Sequence, residues 1–235
     1  MRKLLQYTSL VLLANIIIFS AVAQPCLNGW QYRKTIEMNN SGIGLLSHQV
    51  SLTINTQALV AVGKVRVDGG DIRFTDASGS NLSYWYDPSE FNTPSTTFWI
   101  KANVAAATVS NIYMFYGNAT SPVTASGDGT FEFFDTFNTG NISPLTWDKC
   151  GNNANVNVVG GNGTLQSNNA TTPKDYLITT KQTFPSQVIA ETKVNSASAG
   201  RAMVGLIDNA SDGYATVYEG TVMKMMKVSL GGECK

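Results

Sequence analysis

From residue 24 onward the chain runs in short segments where apolar and polar positions alternate. In "QYRKTIEM", Tyr32, Lys34, Ile36 and Met38 fall on one side of an extended backbone, and Arg33, Thr35 and Glu37 on the other. "HQVSLTIN" puts Val50, Leu52 and Ile54 on one face. "TTFWIKANV" puts Phe98, Ile100 and Ala102 on one face and Trp99 and Lys101 on the opposite one. "SNIYMFYGN" is rich in aromatic and β-branched residues. A period of two is that of a strand with its two sides in different surroundings. The runs are short and bounded by Gly, Asn, Ser or Pro, as strands joined by tight turns are. Only "NTQALVAVG" predicts a short helix or helical turn. Many short strands with turn signals between them predict an all-β chain built as a β-sandwich.

The small, polar stretch Ala119 to Thr130 predicts a division near residue 125. Beyond it a second β-region follows, with strand patterns in "FEFFDTFN", "NVNVVGGNGTLQS", "DYLITT", "QVIAETKVN", "RAMVGLID", "GYATVYEG" and "KMMKVSL". The expected domains are therefore 24–125 and 126–235. The end, "MKMMKVSLGGECK", stops before the closing strands of a jelly roll, so the second sandwich is expected to be incomplete and the chain a candidate fragment.

The N-terminus has a different pattern. Arg2 and Lys3 precede the apolar run "LLQYTSLVLLANIIIFS", and Ala21 and Ala23 follow in an A-x-A arrangement. This is the layout of a secretory signal peptide over residues 1–23, with cleavage expected after Ala23. No later segment is apolar enough to cross a bilayer. A secreted, extracellular or cell-surface location is expected, with the periplasm as the alternative. Disulfides persist in such compartments. Cys26, Cys150 and Cys234 then provide one bridge and one odd thiol, with the pairing left open. Charged residues make up 14% of the chain and the net charge is +0. No field of one sign draws in nucleic acid.

Several motifs in order resemble a known family. They are "WQYRKTIEMNNSG", "VDGGDIRFTDASGSNLSYWYDP", "FWIKANV" and "NIYMFYGNATSPVTASGDGTFEFFDTF", and over Gly29 to about Phe137 they resemble domain of unknown function 2341. The resemblance implies a secreted or surface β-sandwich. It also implies that a concanavalin-A-like or laminin-G-like sandwich follows, and "FFDTFNTGNISPLTWDKCG" is similar to the opening strand of one. Some relatives are joined to ExbB-type proton channels, which makes a periplasmic sensory module a third reading.

The acidic and aromatic residues are the candidates for chemistry. Glycosidases need two carboxyls about 5–10 Å apart. Those of the concanavalin-like class carry Glu-x-Asp-x-x-Glu on one strand. Glu132 and Asp135 are three apart, which points them to opposite faces of a strand, and Glu191 stands alone. His48 is the sole histidine, and no nucleophile elbow is present. No catalytic residue is assigned, and the chain is read as a non-enzyme. Asp68, Asp71 and Asp76 form a calcium candidate, but their spacings of three and five are not the alternate spacing of calcium loops. They fit better as two turns around the strand "DIRF", with Asp71 and Arg73 paired on its polar face. Otherwise no cofactor is expected. Tyr84, Trp85, Tyr86, Trp99 and Lys101 are the ligand-binding candidates. A glycan or a cell-surface protein is the expected partner. The leading expectation is an adhesin-like or glycan-binding module. The alternative is an accessory or degenerate module of a secreted carbohydrate-active enzyme.

Overall fold

The computed structural model describes residues 26–138, 143–150, 156–159, 162–165, 177–184, 189–190, 192, 201–207, 212–219 and 222–229. The expected signal segment 1–23, Glu191 and Cys234 lie outside the described residues. The chain is all-β and forms two compact units, Met1–Phe131 and Glu132–Lys235.

The first unit is a sandwich of two antiparallel sheets. One sheet has the order β1-β7-β3-β4, from Tyr32–Asn40 (β1), Thr108–Tyr116 (β7), Arg73–Thr75 (β3) and Asn81–Leu82 (β4). The other has the order β2-β6-β5, from Leu45–Ile54 (β2), Thr96–Val104 (β6) and Tyr84–Tyr86 (β5). Four connections pass from sheet to sheet, and Asn40 ties two of them together, β1 to β2 and β6 to β7. Its amide nitrogen donates to the carbonyls of Ile43 (2.7 Å) and Ala105 (2.8 Å), and its Oδ1 accepts from Gly42 N. Ala107 N donates to Gly42 O across the same corner.

Alternation decides which side chains meet in the core. Along β6, Phe98, Ile100, Ala102 and Val104 are buried, while Trp99 and Lys101 between them are partly exposed. Val50, Leu52 and Ile54 of β2 lie opposite Ile100, Phe98 and Thr96 and turn the same way. Met38, Phe74, Ile112 and Met114 come from the other sheet. Phe74 packs on Tyr84 (5.1 Å between centroids) and Phe98 (5.6 Å), and Tyr86 packs on Phe98 (5.2 Å). These offset and edge contacts suit ring quadrupoles and fill the space between the sheets. A bulge at Leu46–Ser47 adjusts the β2 register, with Ser47 at φ 52° and its N–H on Asn103 Oδ1. The helix α1 (Thr56–Ala61) falls within the stretch expected to be helical. Its N-cap Asn55 accepts from Ala58 N at 2.8 Å. A single helical turn, α2 (Gly127–Thr130), follows the last strand of the unit.

Among the described residues, the second unit contains three antiparallel groups. β8 (Trp147–Cys150) pairs with β11 (Leu177–Thr180), and β9 (Val156–Val159) with β10 (Asn162–Leu165). β12 (Arg201–Ile207), β13 (Asp212–Glu219) and β14 (Val222–Ser229) form a three-stranded meander. The sequence pattern predicts a strand in "FEFFDTFN", but those residues form an irregular segment. Asp135 explains why. Its carboxylate accepts from Phe137 N (2.6 Å) and Trp147 Nε1 (2.6 Å), which folds the chain back, and Phe133 and Phe137 both pack on Trp147. Among the described residues no helix is long and apolar enough to cross a membrane.

Candidate functional site

The outward side of sheet β2-β6-β5 carries an aromatic cluster. In the antiparallel register Ser51 lies opposite Trp99, and Trp99 opposite Trp85, so the three make a row across the sheet. Thr53 and Thr97 pair on one side of that row, with hydroxyls 3.4 Å apart, and Gln49 and Lys101 pair on the other. Trp85, Trp99 and Lys101 are all partly exposed. The alternation that buries Tyr84, Tyr86, Phe98 and Ile100 necessarily sends both indoles to the other face.

Phe131 completes this face, and no sequence pattern singled it out. Its ring meets Trp85 at 5.8 Å and Trp99 at 6.0 Å, edge-on to each. α2 puts it there. Ser126 caps that turn through Gly129 N, Ser126 N donates to Tyr84 O, and Gln49 Nε2 donates to Thr130 O at 2.9 Å. Gln49, Ser51 and Thr97 were also not predicted as site residues. Their signal was nonetheless present, since strand alternation places them on the face opposite the core-facing Val50, Leu52 and Phe98.

The two tyrosines of the candidate set do not share that face. Tyr84 and Tyr86 are 2% and 5% exposed and belong to the core. Tyr84 Oη donates to Ile72 O (2.8 Å) and Tyr86 Oη to Asp68 O (3.2 Å). Burial raises the Tyr84 hydroxyl pKa above its ordinary value. It pushes Tyr86 up to about 12, helped by the neighbouring Tyr84, Asp68 and Asp71. Both remain neutral donors that bolt the aspartate loop to the sheet.

Each aspartate of the loop serves its own stretch of backbone. Asp68 accepts from Gly70 N and from the Arg66 guanidinium. Asp76 accepts on Oδ1 from Ser78 N, Ser78 Oγ and Ser80 N, and the Ser78 hydroxyl is the main cause of its lowered pKa. Asp71 is 1% exposed. It takes Arg66 N on both oxygens (3.0 and 3.2 Å) and Gly117 N on Oδ2 (3.0 Å). The expected Asp71–Arg73 ion pair is replaced by a different arrangement. Arg73, 8% exposed, donates to the carbonyls of Gly70, Ile72 and Pro122, and its guanidinium lies 5.3 Å from the Trp30 ring centroid. Five consecutive residues, Asp71–Thr75, are buried, so this strand has no polar outer face on which such a pair could lie. The structure does not bring the three aspartates together, and no group of three metal-ligating side chains occurs among the described residues.

The remaining candidates are scattered. His48 is exposed on β2. Glu132 is exposed, and Asp135 is occupied by Trp147 and Phe137. Cys26 is exposed, and the side chains of Cys150 and Cys234 lie outside the described residues.

A family model described as Domain of unknown function (DUF2341) matches residues 68–150, and this match supports the resemblance read from the motifs over Gly29 to about Phe137. The matched span begins at the aspartate loop, takes in β3 to β7 with both tryptophans, and ends at the last residue of β8. No family match accompanies the concanavalin-A-like expectation for the second unit. No curated protein and no solved structure matches the chain.

Proposed function

We propose that this is an exported, non-catalytic binding module whose outward face on sheet β2-β6-β5 takes a neutral glycan. The cross-strand row Ser51–Trp99–Trp85 carries the reading, because an indole next to hydroxyl and amide side chains fits a sugar. The apolar face of a pyranose stacks on the ring, and its hydroxyls bond to the flanking polar groups. Thr97, Thr53 and the Gln49 Oε1 supply such groups, and Lys101 supplies a donor. The signal-peptide layout of residues 1–23 supports export, which is where a surface-attachment role would operate.

A polysaccharide array followed by tryptophan-fluorescence titration tests the proposal. The expected result is binding of at least one neutral polysaccharide, with an indole emission shift, and at least about tenfold weaker binding in Trp99→Ala, in line with the loss of a buried aromatic anchor. Binding to no glycan, or binding that Trp99→Ala and Trp85→Ala leave unchanged, would overturn it. Release of reducing ends from a β-glucan by the purified chain would favour the enzyme-module alternative.

A further inference from the structure

Both central strands of the first unit outrun their neighbours on the same flank. β3 pairs only with Tyr113–Phe115 of β7. Thr108–Ile112 of β7 therefore have β1 on one side and, among the described residues, no strand on the other. β5 pairs with Phe98–Ile100 of β6, and Ser83 O adds one bond from Lys101 N. Ala102–Val104 of β6 have no strand on that side either. A cleft of about 380 Å³ opens between these two bare edges, lined from both sheets. Met38, Ala102 and Ile112 form an apolar wall, each at most 7% exposed, and Leu82 adds to it. The Ser110 hydroxyl on this lining is buried and, among the described residues, has no hydrogen-bond partner. Asp76 contributes the one formal charge in the lining. Its Oδ1 is held by the turn, and its pKa lies below the usual value, chiefly through Ser78.

We propose that this cleft is a strand-addition site that accepts an extended segment of another polypeptide along Thr108–Ile112 of β7. The bare edge specifies the occupant. Five residues of strand present about 17 Å of main-chain donors and acceptors, and a second extended backbone satisfies these most completely. The inserted segment alternates, so every second side chain turns inward between the sheets. An inward residue beside Ala102 and Ser110 is small and apolar or carries a hydroxyl that reaches Ser110 Oγ. At the Asp76 end the segment carries Lys or Arg. This interface is separate from the tryptophan face and does not depend on it.

The test is a selection of displayed linear peptides against the full-length chain, followed by amide hydrogen exchange. Enriched peptides should alternate apolar and polar residues and carry a basic residue at one end. Their binding should slow exchange of amides within Thr108–Ile112 at least about tenfold, as new ladder bonds do. Ser110→Leu fills the cleft and should weaken binding at least about tenfold. Asp76→Asn keeps the Oδ1 acceptor and should weaken basic peptides about threefold while leaving neutral ones alone. This second variant carries the test if Ser110→Leu does not fold. Failure to enrich any peptide, protection confined to other segments, or binding indifferent to both variants would each overturn the proposal. Concentration-dependent dimers that protect Thr108–Ile112 without peptide would overturn it in favour of a second copy of the chain.

Discussion

Asp71 and Arg73 sit in a stretch whose sequence reads as two polar turns around a strand, yet both are almost fully buried. Each is used to hold main chain. Asp71 joins the 66–71 loop to Gly117 at the end of β7, and Arg73 gathers carbonyls from Gly70, Ile72 and Pro122. Removing the carboxyl strands two N–H groups in the interior, those of Arg66 and Gly117. Asp71→Ala should therefore cost about 2–4 kcal/mol in chemical denaturation, and Asp71→Asn about 1–2 kcal/mol, because it retains an acceptor. Gly69 shows how tightly the loop is closed. At φ 65°, a Cβ there would lie 2.6 Å from Tyr86 Oη and 2.9 Å from Phe91 Cζ. Tyr86 also gives the loop an alkaline limit. Its folded pKa, about 12, exceeds the value of about 10 for an exposed tyrosine, so the unfolded chain loses this proton first. Its contribution is complete below pH 10 and disappears as pH rises through 12. Denaturation series at pH 9 and pH 12 should differ by about 1–2 kcal/mol more in the wild-type chain than in Tyr86→Phe. Equal pH slopes would show that Tyr86 ionises alike in both states.

At the scale of elements, the legible parts are those with one buried and one open side. β6 reads directly from its alternation, and so do the core-facing halves of β1 and β2, while α1 falls within the stretch expected to be helical. Elements buried on both sides, or set by a single distant contact, do not read this way. Asp71–Thr75 has no open side, so a period-two reading mistakes Arg73 for a surface residue. "FEFFDTFN" has the composition of a strand, but Asp135 turns it towards Trp147 twelve residues later. The sheet-switching corners were equally hidden, since they depend on Asn40 reaching across 65 residues to Ala105. Both corners share this one amide, so Asn40→Ala removes three bonds at once. It should lower stability by about 1–3 kcal/mol, since each bond contributes about 0.5–1.5 kcal/mol, and exchange of the Gly42 and Ala107 amides should quicken. A change confined to Gly42 would mean that the corners close independently.

For the whole molecule, the question is where the first unit ends. Composition places a division near residue 125, whereas the compact unit runs to Phe131. The last six residues account for the difference. Ser126 N bonds to Tyr84 O, Thr130 O receives Gln49, and Phe131 lies against Trp85 and Trp99. Ser126 to Thr130 are small and polar, like linker, and only the contacts of this segment with β2, β5 and β6 reveal it as part of the sandwich. The same six residues complete the proposed glycan face, so stability and binding are tied together at this point. A fragment covering residues 26–131 should therefore melt several degrees above one covering 26–125. The lost contacts amount to about 1–3 kcal/mol, and about 4–8 °C accompanies each kcal/mol in a domain of this size. The shorter fragment should also show a red-shifted tryptophan emission, because Phe131 no longer shields either indole. Identical melting temperatures with unchanged emission would mean that α2 and Phe131 only rest on the sheet, and the tryptophan row would then have to account for any ligand binding alone.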